Sequence, residues 1–212
     1  MARIIGVKDL HIAVLDKDEV GVQPVWKKPV PVPSLISMSI TDQKENVTFY
    51  SDDKVEQIIP AFSGKEVSLE LGHIHPRLEA MISGNTYTQG VYKQNSDAKA
   101  PEVAIMFRAP KSKSKSGIKN PHRYVVLFKG ILARDEEAYN GKADTIESSN
   151  ITLSGIFMPL TTNKKIEFRT DNDVVYGDVN TNPDADIDTQ FKDAHETMIK
   201  EWFDEVKWLP PQ

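Results

Sequence analysis

The chain has 212 residues, of which 39% are hydrophobic and 27% are charged, and its formal net charge at pH 7 is −5. This composition is typical of a folded domain with a proper core, and the negative charge argues against general nucleic-acid binding. The chain contains no cysteine, which excludes disulfides, thiol catalysis and cysteine-ligated zinc. Because the N-terminal residues lack the apolar stretch of a signal peptide and no apolar run of about 18 residues occurs, we expect neither a secretion signal nor a membrane span.

The first 33 residues are predicted to form a strand followed by an extended arm. Residues 20–33 read VGVQPVWKKPVPVP. Proline fixes its own backbone and restrains the residue before it to extended conformations. We therefore expect this arm to run extended.

Alternation with a period of two dominates the next segment. In residues 35–41, Ile36, Met38 and Ile40 occupy one set of positions. The intervening positions carry hydroxyl groups, on Ser37, Ser39 and Thr41. Such alternation predicts a strand with one apolar face and one hydroxyl-rich face. A polar turn at residues 42–44 and a second alternating run at residues 47–50, which includes Thr48, complete a predicted β-hairpin.

Further strand patterns follow along the chain. They lie at residues 67–71, 101–109, 122–133, 151–157 and 165–169. The run at 122–133 is almost continuously apolar, which predicts a strand covered on both faces. Together these segments predict a single mainly β domain over residues 1–212, a sandwich or open barrel of about seven or eight strands. Residues 51–65 connect two strands and are predicted to be a long loop.

Two helices are predicted. The first spans residues 76–83, where Pro76 suits the first helical position and Gly84 suits the position just past the end. The second lies in an acidic C-terminal segment, residues 178–212, and spans residues 186–208. Its apolar residues recur every three or four positions and are Ile187, Phe191, Ala194, Met198, Trp202, Val206 and Leu209.

The sequence offers little that suggests catalysis. His73 and His75 form a His-x-His pair, but no further ligand motif accompanies them, and we interpret them as surface or helix-entry histidines. Phosphate-binding glycine loops and the GxSxG motif are absent. We therefore expect no enzyme activity, no metal site and no cofactor.

Charge is distributed unevenly. Residues 111–129 contain basic residues and no acid, whereas acids predominate between residues 171 and 205. A KSKSKS tip without interleaved aromatic residues is more typical of a solvated turn than of a nucleic-acid site. One hypothesis is that the basic tip of one subunit meets an acidic surface on its neighbour.

Several fragments, in this order, resemble the major tail protein family of siphophages, particularly those of Gram-positive hosts. The fragments are residues 5–33, 36–56, 67–84, 90–95, 103–109, 124–139 and 148–160. Among them are ISMSITDQKENVTFYSDDKVE, VSLELGHIHPRLEAMISG and YVVLFKGILARDEEAY. Together they cover most of the chain.

The resemblance implies a tail-tube fold, in which a β-sandwich is flanked by a helix and subunits close into hexameric rings that stack into a hollow, non-contractile tube. It implies a location in the virion tail, after assembly in the host cytoplasm. The implied partners are further copies of the chain, the tape measure protein in the lumen, and the tail terminator and distal tail or baseplate proteins at the ends. Genomic DNA would pass through the lumen without specific binding.

Two sets of residues follow as candidate sites. The hydroxyl face would meet either outer solvent or the lumen of the tube, and the predicted lumen-facing residues are Ser37, Ser39, Thr41, Thr48, Thr152 and Ser154. The 51–65 loop contains many large apolar residues, which favours burial against an adjacent subunit or ring. The predicted inter-subunit residues are Val55, Ile58, Ile59 and Phe62, with Trp26 of the arm.

Two other functions compete. A solitary β-sandwich that binds carbohydrate or peptide would need an aromatic platform on a sheet face, and the three tryptophans fall instead in the arm and the C-terminal helix. The inner tube of a contractile injection device would share the fold. The family-like fragments favour the non-contractile version.

Overall fold

The computed structural model of the protein describes residues 2–51, 54–136 and 150–208, and at residues 45–51, 54–61 and 136 the description is limited to the backbone. In these ranges the chain is mainly β, which confirms the predicted fold class. The strands are β1 (Lys8–Lys17), β2 (Val25–Trp26), β3 (Val30–Pro31), β4 (Leu35–Ser51), β5 (Lys54–Leu71), β6 (Thr86–Thr88), β7 (Val91–Lys93), β8 (Val103–Pro110), β9 (His122–Glu136), β10 (Ile151–Phe157) and β11 (Glu167–Asp171). The helices are α1 (Pro76–Ser83) and α2 (Lys192–Lys200), the latter preceded by a single 3₁₀ turn.

Nine strands form one antiparallel sheet. Its strand order is β2-β1-β8-β9-β10-β5-β4, with β3 beside β1 and β11 beside β9, while β6 and β7 form a separate hairpin. One hydrophobic core draws side chains from β1 near one end of this order, from β5 near the other end, and from α1. Because distant strands share one core, the sheet curls around it.

A second core lies on the opposite face of the central strands. There Met106 of β8 and Phe128 of β9 pack with Trp202, which follows α2 and is fully buried. The alternating side chains of β9 therefore enter two different cores, as Leu127 and Phe128 show. The prediction that the apolar run at 122–133 is covered on both faces is confirmed for its first half, whereas Ile131 and Ala133 are exposed on one face.

The first helix has the predicted boundaries. Pro76 lies in its first turn, and Gly84 follows it with a φ of 71°, the left-handed conformation that glycine adopts without strain. The backbone oxygen of Lys99 would lie only 2.0 Å from a Cβ at position 84, so a larger residue would clash there.

The predicted turn at 42–44 and the predicted loop at 51–65 are both wrong. Strand β4 continues through 42–44 with only a register shift between Gln43 and Lys44, and β5 begins at Lys54. The residues 42–44 include neither the glycine nor the proline that a tight turn favours, and a β-bulge absorbs the irregularity instead. The segment predicted as a loop is thus one side of a long hairpin.

The arm pairs with its own chain, and the second helix is shorter than predicted. Strands β2 and β3 are extended, as predicted for the arm, and both pair with β1. The C-terminal helix covers Lys192–Lys200 rather than 186–208. After Lys200 the chain leaves the helix, and Trp202 and Val206 pack against the broad face of the sheet. A continued helix would contact that face along only one stripe of its surface.

Candidate functional site

One exposed surface of the sheet gathers most of the predicted lumen-facing residues. Strands β4, β5, β10 and the second half of β9 lie side by side, and their residues alternate between the first core and this surface. In the register, Ser39 of β4 opposes Ser68 of β5, which opposes Ser154 of β10. We call this surface the hydroxyl face. Its described outward residues are Ser37, Ser39, Thr41, Glu66, Ser68, Glu70, Ile131, Ala133, Asp135, Thr152, Ser154 and Ile156.

The structure therefore brings together five of the six residues predicted to face a lumen: Ser37, Ser39, Thr41, Thr152 and Ser154. The sixth, Thr48, lies further along β4, and its side chain is outside the described residues. Glu66 and Glu70 belong to the same face and were not predicted, because this strand was predicted from its apolar positions Val67, Leu69 and Leu71 alone.

The hydroxyl face is polar and acidic. The Ser37 hydroxyl donates a hydrogen bond to Glu70 Oε2 at 2.9 Å, and the Asn150 amide donates to Glu70 Oε1 at 2.7 Å. The Ser154 hydroxyl donates to Asp135. None of the described outward residues of this face is lysine or arginine. The face therefore presents hydroxyl groups and negative charge, with an exposed cross-strand pair of Ile131 and Ile156 at one end.

Two strand edges that have no partner among the described residues bound the hydroxyl face. On one side, β4 pairs only with β5 among the described strands. On the other side, β8 pairs with β9 as far as Gly130, so that residues 131–136 of β9 have a described neighbour only in β10. We call these the β4 edge and the β9 edge. Unpaired edges present rows of free N–H and C=O groups that can accept another strand.

A two-stranded ribbon extends from the same sheet. Strand β10 pairs with β5 only as far as Lys65, whereas β4 and β5 remain paired with each other from Lys44–Phe62 to Ser51–Lys54. At about 3.3 Å per residue this ribbon is roughly 26 Å long. No third described strand pairs with it. A two-stranded ribbon alone is marginally stable in water, so the ribbon needs a further contact.

The predicted inter-subunit residues fall in two places. Val55, Ile58 and Ile59 belong to the ribbon, with side chains outside the described residues, and Phe62 lies at the base of the ribbon with 45% of its surface exposed. Trp26 contacts its own chain, and its inter-subunit role stays a prediction. Its Nε1 donates a hydrogen bond to the Phe128 carbonyl at 3.1 Å, and its ring packs against the second core of its own chain.

The basic hairpin tip meets the acidic C-terminal segment of its own chain, contrary to the hypothesis of a contact with a neighbour. Lys115 Nζ lies 2.9 Å from a carboxylate oxygen of Asp186, and the Lys115 backbone N–H donates to Asp173 at 3.1 Å. Lys111 Nζ lies 2.7 Å from Asp171 and also contacts the buried carboxylate of Asp173. Ion pairs between the basic tip and the acidic residues therefore hold the C-terminal segment against the sheet.

One member of the His-x-His pair, His75, has a local structural role. His75 Nδ1 accepts a hydrogen bond from the Arg77 backbone N–H at 3.1 Å and so caps α1. Within residues 2–51, 54–136 and 150–208, no group of three or more histidine or acidic side chains is arranged to hold a metal ion. Neither described helix combines the length and the apolar character needed to cross a bilayer.

Comparison with known proteins adds no relative: no protein-family model matches the chain, and no curated protein matches it.

His195 of α2 is buried, with 1% of its surface exposed, in the contact between the C-terminal segment and the sheet. Its Nε2 lies 2.8 Å from the Thr170 hydroxyl and its Nδ1 lies 2.9 Å from the Tyr176 hydroxyl, so the ring is hydrogen-bonded on both sides. Burial lowers the pKa of His195, which the neighbouring Glu196 only partly opposes. The folded protein therefore favours the neutral ring.

We expect the free energy of unfolding to fall as the pH drops below the ordinary histidine value of 6.5, because the unfolded chain then binds a proton that folded His195 refuses. The slope for one proton is at most about 1.4 kcal/mol per pH unit. Denaturant unfolding between about pH 7.5 and about pH 5.5 measures this slope. His195→Gln should reduce the slope, and His73→Gln, which alters an exposed ring, should leave it unchanged. An unaltered slope in His195→Gln would contradict the assignment.

Proposed function

We propose that the protein is a virion structural protein that polymerises, as stacked hexameric rings, into the hollow non-contractile tail tube of a long-tailed bacteriophage. The observation that carries the proposal is the hydroxyl face, whose described residues include no lysine or arginine and whose two strand edges lack a partner among the described strands. The resemblance of the sequence to siphophage major tail proteins points to the same function. In this role the protein is not an enzyme and needs no cofactor.

Ring closure follows from the two edges. Strand β4 is antiparallel to β5, β5 to β10, and β10 to β9. The β4 edge and the β9 edge therefore run in opposite directions, so the β9 edge of one copy can pair antiparallel with the β4 edge of the next. This contact uses different surfaces on the two partners. Such contacts generate a ring when the rotation from one copy to the next brings the last copy back into contact with the first. Closure removes the exposed edges that otherwise invite uncontrolled pairing.

The size of the ring suits a conduit. Four strands from each of six subunits would form a barrel of roughly 24 strands, larger than the barrels of roughly 16–18 strands that already enclose an aqueous channel. With the first core and α1 on one side of these strands, the hydroxyl face is the side that remains for the lumen. Its carboxylates, among them Glu66 and Glu70, would repel the phosphates of a passing genome and keep DNA from adhering.

The ribbon supplies the contact that links rings. It projects beyond the sheet, and its sequence includes Val55, Ile58 and Ile59. Packing against a neighbouring subunit or ring would give it the third layer that an isolated ribbon lacks. The proposed partners at other positions are the tape measure protein in the lumen and the terminator and distal tail or baseplate proteins at the two ends, with assembly in the host cytoplasm.

Shortening the ribbon should abolish tube formation while leaving the fold intact. Replacing residues 46–60 by Asn-Gly joins the paired residues Glu45 and Ala61 through a two-residue hairpin turn. We expect a circular dichroism spectrum that retains the β signal, and negative-stain micrographs without tubes under conditions in which the natural chain forms them. Gln89→Asn, which alters the separate β6–β7 turn, is the control and should leave tubes unchanged. Tubes of normal length from the shortened chain would contradict the role of the ribbon.

A cation on the hydroxyl face should slow passage of DNA. Ser39→Arg places a positive charge on the proposed lumen wall in every subunit, where it would attract the DNA backbone. We expect virions that contain this variant to eject DNA more slowly in a real-time ejection assay, with a stronger effect at low salt. Ser116→Arg, on the exposed basic tip, is the matched control. Equal ejection rates for the two variants would argue against the lumen assignment.

A further inference from the structure

A small pocket lies between the arm and the residues that follow α2, apart from the hydroxyl face. It has a volume of about 350 Å³, at the low end of the roughly 300–1,000 Å³ typical of ligand pockets, which suits a single small ring. Two tryptophans, Trp26 and Trp208, contribute to its wall. They are far apart in the sequence. The pairing of β2 with β1 and the packing of the C-terminal segment on the second core bring both to this pocket.

Both indoles are held in place by the protein. Trp26 Nε1 donates a hydrogen bond to the Phe128 carbonyl at 3.1 Å, and the Trp26 ring packs against the Phe128 ring with centroids 6.0 Å apart. Trp208 packs against the second core. Each indole nevertheless remains partly exposed. Because the rings are ordered before a ligand arrives, binding does not bear the cost of immobilising them.

Polar side chains accompany the two rings. The Gln23 amide and the Trp208 indole N–H make no hydrogen bond with any other described residue, so both are available to a ligand. Glu205 and Lys207 also line the pocket, and Lys207 Nζ lies 2.8 Å from a carboxylate oxygen of Glu205. The pocket therefore offers hydrogen-bond donors and acceptors beside aromatic surface.

This combination fits a sugar ring. Each sugar hydroxyl both donates and accepts hydrogen bonds, and a pyranose ring with equatorial hydroxyls presents a face of C–H groups that suits an indole. The carboxylates of Glu205 and of Glu201, which lies 3.8 Å from Lys207 Nζ, disfavour a phosphorylated ligand. A purely apolar ligand would cover the Gln23 amide and the Trp208 N–H without giving them hydrogen bonds.

We propose that the pocket between Trp26 and Trp208 binds a neutral pyranose sugar. A carbohydrate site needs an aromatic platform, and the fold supplies one in this pocket rather than on a sheet face. The pocket shares no residue with the hydroxyl face or with the strand edges that would close the ring. The inference therefore does not rest on the proposed tube.

A sugar titration of the full chain tests the proposal. The probe is methyl β-D-glucopyranoside, a ring whose hydroxyl groups are all equatorial. The control is sorbitol, which carries hydroxyl groups on an open chain and lacks the rigid ring face. We expect the glucoside to shift the indole N–H resonances of Trp26 and Trp208 in a saturable manner, and sorbitol to cause no saturable shift.

Two variants locate the sugar in the pocket. Gln23→Ala removes an amide from an exposed part of the wall and should weaken binding about fivefold, the loss expected for one hydrogen bond. Gln190→Ala, at an exposed residue outside the pocket, should leave the affinity unchanged.

Three results would overturn the proposal. They are the absence of a saturable shift with the glucoside, equal shifts from the glucoside and sorbitol, and equal affinities of the two variants. The titration does not depend on tube formation, so tubes without sugar binding would overturn this inference alone.

Discussion

The β4 edge, which has no partner among the described strands, is the constraint on which the rest of the proposed assembly depends. A strand that runs from Leu35 to Ser51 with no described neighbour on one side presents a long row of backbone donors and acceptors there. Soluble proteins protect such edges with charges, prolines, bulges or covering elements, or remove them by closing the sheet. Here the opposite edge of the same four-stranded surface, on β9, runs in the complementary direction. Pairing the β9 edge of one copy with the β4 edge of the next would give the backbone groups of both edges hydrogen-bond partners. The hydroxyl face would then form the inner wall of the ring.

The two cores divide the sheet into a stable base and an assembly surface. Strands β8 and the first half of β9 are buried on both faces, and the C-terminal segment is held against them by Trp202 and by the ion pairs of Lys111 and Lys115. Towards β4 the second covering layer ends, and the sheet is packed on one face only. The same chain therefore combines a rigid half, which fixes the geometry, with a half whose outward face and edges are free for other copies.

The sequence predicts the strands well because their alternation is a local property. The positions of Ser37, Ser39 and Thr41 on one face follow from period two alone, and α1 follows from Pro76 and Gly84. What local reasoning misses depends on distant partners. Residues 51–65 were predicted as a loop because Pro60, Gly64 and the adjacent Ile58 and Ile59 interrupt the alternation. The arm was predicted to run extended, but its pairing partner in β1 could not be read from its own residues.

Disulfide trapping tests ring closure most directly, since the chain has no cysteine of its own. Within one chain Ser39 and Ala133 are separated by three strand spacings, about 14 Å, which exceeds the reach of about 7 Å that a disulfide allows. Cysteine would be placed at Ala133 together with Ser37, Ser39 or Thr41, and the oxidised protein examined on a denaturing gel. Closure through the β4 and β9 edges predicts, for at least one of these pairs, a ladder that ends at the hexamer. If all three pairs gave only monomers, as the single-cysteine variants should at low concentration, pairing of these edges would be contradicted.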